Sequence, residues 1–115
     1  MAKWNTPHRF NVYGVEFDVC FQYDYAKLEY GNLNQFYITF AFARKVGIPE
    51  TLAVKTIHNP KDNFSYIRGQ REAFERLVNV IWSLWGISVC GFRKDFSKKA
   101  WELSDLMGMW NMDEE

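Results

Sequence analysis

Apolar and polar positions alternate along the first half of the chain, and the spacing changes to three and four in the second half. Residues 15–24 put Val15, Phe17, Val19, Phe21 and Tyr23 on one face and Glu16, Asp18, Cys20, Gln22 and Asp24 on the other. That period of two over ten residues predicts a half-buried strand. Phe10 and Val12 carry the alternation back to Tyr13-Gly14, which predicts a tight turn and a short first strand. The next segment, Ala26 to Gln35, holds Gly31, Asn32 and Asn34 and predicts a connecting loop.

Phe36, Ile38, Phe40 and Phe42 then alternate with Tyr37, Thr39, Ala41 and Ala43. A strand apolar on both faces is expected at the centre of a sheet. After the turn marked by Gly47 and Pro49, Leu52, Val54 and Thr56 alternate with Ala53, Lys55 and Ile57 up to His58-Asn59-Pro60. No helical pattern separates these strands, so the connections are short and the pairing antiparallel.

The helical spacing begins beyond a cap supplied by Asp62, Asn63 or Ser65. Ile67, Phe74, Leu77, Val78, Ile81, Leu84 and Trp85 form a core-facing stripe. Gly86 stands where a helix-ending glycine is expected. Residues 87–92 read as a last short strand or a packed connector. A second helix is expected from about Ser97 to Met107, with Phe96, Ala100, Leu103, Met107 and Trp110 on one face and a frayed acidic tail behind it. The expected fold is one α+β domain over residues 1–115. A single antiparallel sheet of four to five strands is packed by one long helix and a shorter C-terminal helix.

Composition supports a self-sufficient core. Of 115 residues 48% are hydrophobic and 18% aromatic, with ten Phe, six Tyr and five Trp. Each buried aromatic removes about 150–250 Å² from water, so the fold needs no disulfide or metal. Fourteen basic and fourteen acidic side chains give a net charge of zero, where a dedicated nucleic-acid binder carries a basic excess. The middle of the chain is mildly basic and both ends are mildly acidic. Cys20 and Cys90 lie far apart, no signal-peptide pattern opens the chain, and no run approaches the ~20 apolar residues of a membrane span. The expectation is a cytoplasmic protein with reduced thiols and no membrane partner.

Candidate chemistry is sparse. His8, Cys20, His58 and Cys90 match no zinc spacing, and Asp62 and Asn63 lack the further ligands of a calcium loop. A Cys–His nucleophilic pair has no local support, and neither a phosphate loop nor a dinucleotide fingerprint is present. The expectation is no metal, no cofactor and no catalytic activity. Two surfaces remain. Glu16, Asp18 and Asp24 form an acidic stripe at about 6.6–7 Å spacing. With Tyr37, Trp101 and Trp110 as aromatic anchors, this stripe is the candidate protein-binding surface. Lys61, Arg68, Arg71, Arg44 and Lys45, with Tyr37 stacking on bases, form the alternative nucleic-acid surface. Opposing it, the spacings Arg68–Glu72, Glu72–Arg76 and Arg71–Glu75 describe an intrahelical charge ladder worth about 0.2–0.5 kcal/mol per pair. Gly69 inside this helix costs about 1 kcal/mol relative to alanine and signals a close backbone approach. A homodimer burying the aromatic surface against itself is a third reading.

Asp62, Phe64, Ser65, Gly69, Ala73 and Arg76 spell D-x-F-S-x-x-x-G-x-x-x-A-x-x-R. This frame resembles the strand-to-helix motif of small bacteriophage proteins, and Asn-Val-Tyr-Gly-Val-Glu-Phe-Asp-Val resembles their opening hairpin. Here Gln70 stands where that pattern has a basic residue, and Phe74 replaces a smaller aliphatic one. The resemblance implies a phage or mobile-element origin. By analogy it implies a non-catalytic protein that binds and inhibits a host protein complex, of the anti-CRISPR or anti-restriction kind.

Overall fold

The computed structural model describes residues 7–28, 34–58 and 66–110. Four strands, β1 (His8–Val12), β2 (Val15–Leu28), β3 (Asn34–Lys45) and β4 (Thr51–His58), form one antiparallel meander in the order β1-β2-β3-β4. Helix α1 (Tyr66–Ile81), a π-helical turn (Trp82–Gly86) and helix α2 (Arg93–Leu106) follow. This is the α+β fold expected, with four strands: residues 87–92 are a connector. The predicted loop is shorter than Ala26–Gln35, because β2 runs to Leu28 and β3 starts at Asn34. The predicted cap and Lys61 lie outside the described residues, as does the acidic tail.

The β1–β2 turn follows from its two central residues. Tyr13 (φ 52°) and Gly14 (φ 89°) are both left-handed, the two-residue turn whose twist matches the strands. Gly14 N–H donates to Asn11 Oδ1 at 3.0 Å, closing it. Register then pairs Phe10 with Phe17 and Val12 with Val15 on the helix-facing side. The rings of Phe10 and Phe17 stack at 5.3 Å, and Phe74 of α1 meets Phe10 at 5.5 Å. Val19, Ala41, Ala43, Ala73, Leu77, Val78, Ile81, Phe96 and Ala100 complete a core between the sheet and the helices.

Small Ala41 and Ala43 on β3 let α1 approach closely, and Gly69 does the same near β4: it is buried, and Thr56 Oγ1 reaches its carbonyl at 3.5 Å. Arg76 donates to the carbonyl of Lys55 at 2.9 Å and so covers part of the β4 edge, which would otherwise offer a free backbone acceptor.

Two helix ends differ from expectation. Gly86 has no left-handed φ; the helix passes through it in a π-turn. An added Cβ there would lie 2.8 Å from the buried Phe96 ring, so glycine is required by close packing. The π-turn also slips the stripe by one residue, which takes Leu84 off the core side and leaves it exposed. Helix α2 starts four residues earlier than predicted and ends in a Schellman motif at Gly108 (φ 70°). Met109 N–H reaches Ser104 O at 3.2 Å and Gly108 N–H reaches Asp105 O at 3.0 Å. The reversal buries Met109 and carries Trp110 back over the core, off the helix on which the periodicity had placed it.

Candidate functional site

Alternation gives the sheet two unlike faces. One is the core. The other, which no described helix covers, carries Arg9 and Asn11 on β1, Glu16, Asp18, Cys20, Gln22 and Asp24 on β2, Ile38, Phe40, Phe42 and Arg44 on β3, and Thr51, Ala53, Lys55 and Ile57 on β4. The register sets these in cross-strand rows: Asp18–Arg44–Thr51, Cys20–Phe42–Ala53, Gln22–Phe40–Lys55 and Asp24–Ile38–Ile57. Phe40 and Phe42 are two residues apart on β3, with ring centroids 6.0 Å apart and planes 18° from parallel. Both are half-buried, and neither packs against the core. Ile57 beside them is 54% exposed.

The acidic stripe of the sequence is broken on this face. Asp18 is only 4% exposed. Its carboxylate takes a bidentate fork from Arg9, 2.5 Å from Nε and 3.1 Å from Nη2, and lies 3.8 Å from Arg44 Nη2. The carboxylate holds the Arg9 guanidinium above its ordinary pKa, through the hydrogen bond first and Coulomb attraction second. Asp18 is therefore a structural clasp joining β1, β2 and β3, where the sequence suggested a solvated carboxylate. Glu16 and Asp24 remain exposed. Tyr37 sits on the helix-facing side, paired with His58, so it is no part of the open face.

The aromatic anchors are also relocated. Trp110 is 8% exposed and Trp101 half-buried. Trp101 meets Phe74 edge-on at 4.8 Å, Trp110 meets Phe74 at 5.5 Å, and the two indoles lie 5.5 Å apart. Trp110 Nε1–H donates to Ser104 Oγ at 2.9 Å, and that hydroxyl donates to Trp101 O at 2.7 Å. Trp101 packs on Phe74 from within α2, and Trp110 joins it because the turn at Gly108 folds the chain back. No periodicity argument reaches past such a turn.

The expected basic patch does not assemble. Arg71 lies over both indoles, 4.9 Å from the Trp101 ring and 5.2 Å from the Trp110 ring, and makes no ion pair with Glu75. Of the ladder, Arg68–Glu72 forms at 3.3 Å. Arg76 goes to the β4 backbone instead. Arg44 is at the far end of β3 from the start of α1 and on the opposite face, while Lys45 points to the helix side. Sequence spacing alone could not show that Arg44 lies across the sheet from Arg68 and Arg71, or that Lys45 lies at the far end of β3 from them.

Under the first turns of α1 lies a polar seam of Thr39, Thr56 and His58. His58, buried on β4, is 2.9 Å from Glu72 Oε1 through Nε2. The pair ties helix to sheet, and Arg68 on the same carboxylate extends it to the surface. Among the described residues no three His, Cys, Asp or Glu side chains cluster as a metal site requires. The described clefts are open and lined mostly by polar and charged helix residues such as Glu75, Asn79, Lys98 and Glu102.

A second exposed apolar region was not anticipated. Leu84, Ile87 and Val89 in the α1–α2 connection are each more than half exposed, and Phe92 is 74% exposed. The connection is held firmly. Cys90 N–H and Val89 N–H reach Gly86 O at 2.9 and 3.1 Å, and Trp82 Nε1–H donates to Cys90 O at 2.8 Å. The signal was present in the sequence: four large apolar residues around Gly86 and Gly91 share no single strand face or helix stripe. Compared with known proteins, the chain matches no protein-family model, no curated protein and no solved structure.

Proposed function

We propose that this protein is a non-catalytic binding protein of phage or mobile-element origin. It docks on a host protein complex in the bacterial cytoplasm through the open face of its sheet and inhibits it. The observation that carries the reading is the Phe40–Phe42 pair, stacked at 6.0 Å and half-exposed on a sheet face that no described helix covers. Aromatic side chains at the centre of a patch with a polar rim are the usual source of most binding energy. Ile38, Ala53 and Ile57 extend the apolar centre, while Glu16, Arg9 and Lys55 supply a rim of both signs. Balanced charge on this face fits a protein surface better than a polyanion, which places nucleic acid second. The strand-to-helix resemblance supports the phage origin and the inhibitory role by analogy.

The test is a tagged pull-down from bacterial lysate with and without nuclease, run in parallel with Phe40→Ser and Ile57→Ser variants. One protein retained near equal stoichiometry after nuclease, and lost with either variant at unchanged thermal stability, is the expected result. Nucleic acid alone, released by nuclease, would overturn the reading in favour of a nucleic-acid module.

A further inference from the structure

The rigid connection between α1 and α2 has a composition unlike the rest of the surface. Leu84, Ile87, Val89 and Phe92 stand exposed within nine residues of chain, and the helix that follows opens with Arg93, Lys94, Lys98 and Lys99, all exposed. None of these four cations makes an ion pair among the described residues. Arg93, Lys94 and Lys98, with Ser97 of α2 and Glu75 and Asn79 of α1, line an open cleft of about 310 Å³, and Arg93 and Lys94 directly follow Phe92 in the chain. One carboxylate thus faces three cations. On the other side, Asp95 and Glu102 accompany Lys98 and Lys99.

We propose that this end of the molecule is a peripheral membrane-docking site. Leu84, Ile87, Val89 and Phe92 enter the outer hydrocarbon of an anionic bilayer, and the cleft between the helices receives a lipid phosphate. The dimensions agree. Arg93 and Lys98 are five residues apart on α2, about 7.5 Å of helix rise, which matches the ~5–8 Å headgroup layer on each side of the hydrocarbon core. Exposed apolar side chains beside exposed cations are an arrangement that binds interfaces. The apolar residues supply insertion, and each Lys or Arg near an anionic surface strengthens partition about five-fold. A second copy of the chain is a poor occupant, since a symmetric contact here would bring the same four cations against one another. No described helix is long and apolar enough to cross a membrane, so the contact is peripheral. The sequence-based expectation of no membrane partner rested on the lack of a spanning run, which does not bear on this mode.

The test is co-sedimentation of the whole chain with vesicles of phosphatidylcholine alone and of three parts phosphatidylcholine to one part phosphatidylglycerol. Binding to the anionic vesicles, little to the neutral ones, and release in about half-molar salt are expected. Lys94→Ala with Lys98→Ala should lower partition by about 25-fold. Phe92→Ser should lower it by roughly ten-fold or more. Both should melt within a degree or two of the parent, because the side chains are exposed. Absence of binding to anionic vesicles would overturn the proposal, as would unchanged partition in both variants. Release by inorganic phosphate far beyond that by chloride of equal ionic strength would likewise overturn it, and would leave a free-phosphate cleft.

Discussion

Gly86→Ala isolates the packing that sets the angle between the two helices. The new Cβ would lie 2.8, 3.1 and 3.2 Å from three atoms of the Phe96 ring, which is fully buried and cannot swing away. Overpacking of this kind costs about 1–3 kcal/mol. Alanine recovers about 1 kcal/mol over glycine through helix propensity, here within a continuous helical turn. The net is a loss of about 1 kcal/mol, and for a domain of this size a melting temperature lower by roughly 4 °C. Without the clash, alanine at this helical φ would gain stability, and a double-mutant cycle identifies Phe96 as the partner in the clash. If the clash is steric, Phe96→Leu provides room and the Gly86→Ala penalty vanishes in that background, a coupling of about 1 kcal/mol or more. Thermal denaturation followed by circular dichroism on the four proteins reads this. Gly86→Ala more stable than the parent by several degrees would refute the reasoning, as would a penalty that persists unchanged in the Phe96→Leu background.

Asp18→Ala should lower the melting temperature by several degrees, since it removes a buried carboxylate bridging Arg9 and Arg44, whereas Glu16→Ala on the same face should shift it by no more than about 2 °C. Trp110→Phe should cost about 1 kcal/mol through loss of the Nε1–H bond to Ser104, and Ser104→Ala about the same; the double variant should cost less than their sum, measured by denaturant titration. Burial holds the His8 pKa below its ordinary 6.5, so the folded state prefers the neutral ring. Its contribution is full above pH 6.5 and is lost as pH falls below that value through the folded pKa. Stability should therefore decline in mildly acidic solution, and His8→Gln should flatten that part of the profile.

Legibility in the sequence tracked the range of the interaction involved. Period two located the strands, and Tyr13-Gly14 announced its turn, because both signals lie within a few residues. Apolarity on both faces of residues 36–43 suggested a central strand, and β3 does lie between β2 and β4. Gly69 pointed to a close backbone approach, to the sheet or to a partner, and Thr56 of β4 lies against its carbonyl.

The failures involve contacts distant in sequence. The role of Asp18 depends on Arg9 across one register and Arg44 across another, neither visible from the alternation of β2. Trp101 and Trp110 looked like exposed anchors, but α2 lays Trp101 on Phe74 and the chain reversal at Gly108 brings Trp110 there too, with Arg71 over both. Leu84 belonged to the stripe at α-helical spacing and left it when the π-turn intervened. The candidate surface itself was half legible. Phe40 and Phe42 read as one face of a strand, but only the sheet order and the side taken by the helices show that this face is the one left open.

On the proposed function, a host protein covers the open face of the sheet. Hydroxyl-radical footprinting of the chain, alone and in nuclease-treated host lysate, tests it most directly. Oxidation of Phe40, Phe42 and Ile57 is expected to fall in the lysate, while that of Tyr13, on the β1–β2 turn, stays unchanged. Equal oxidation of Phe40, Phe42 and Ile57 in both conditions would contradict it.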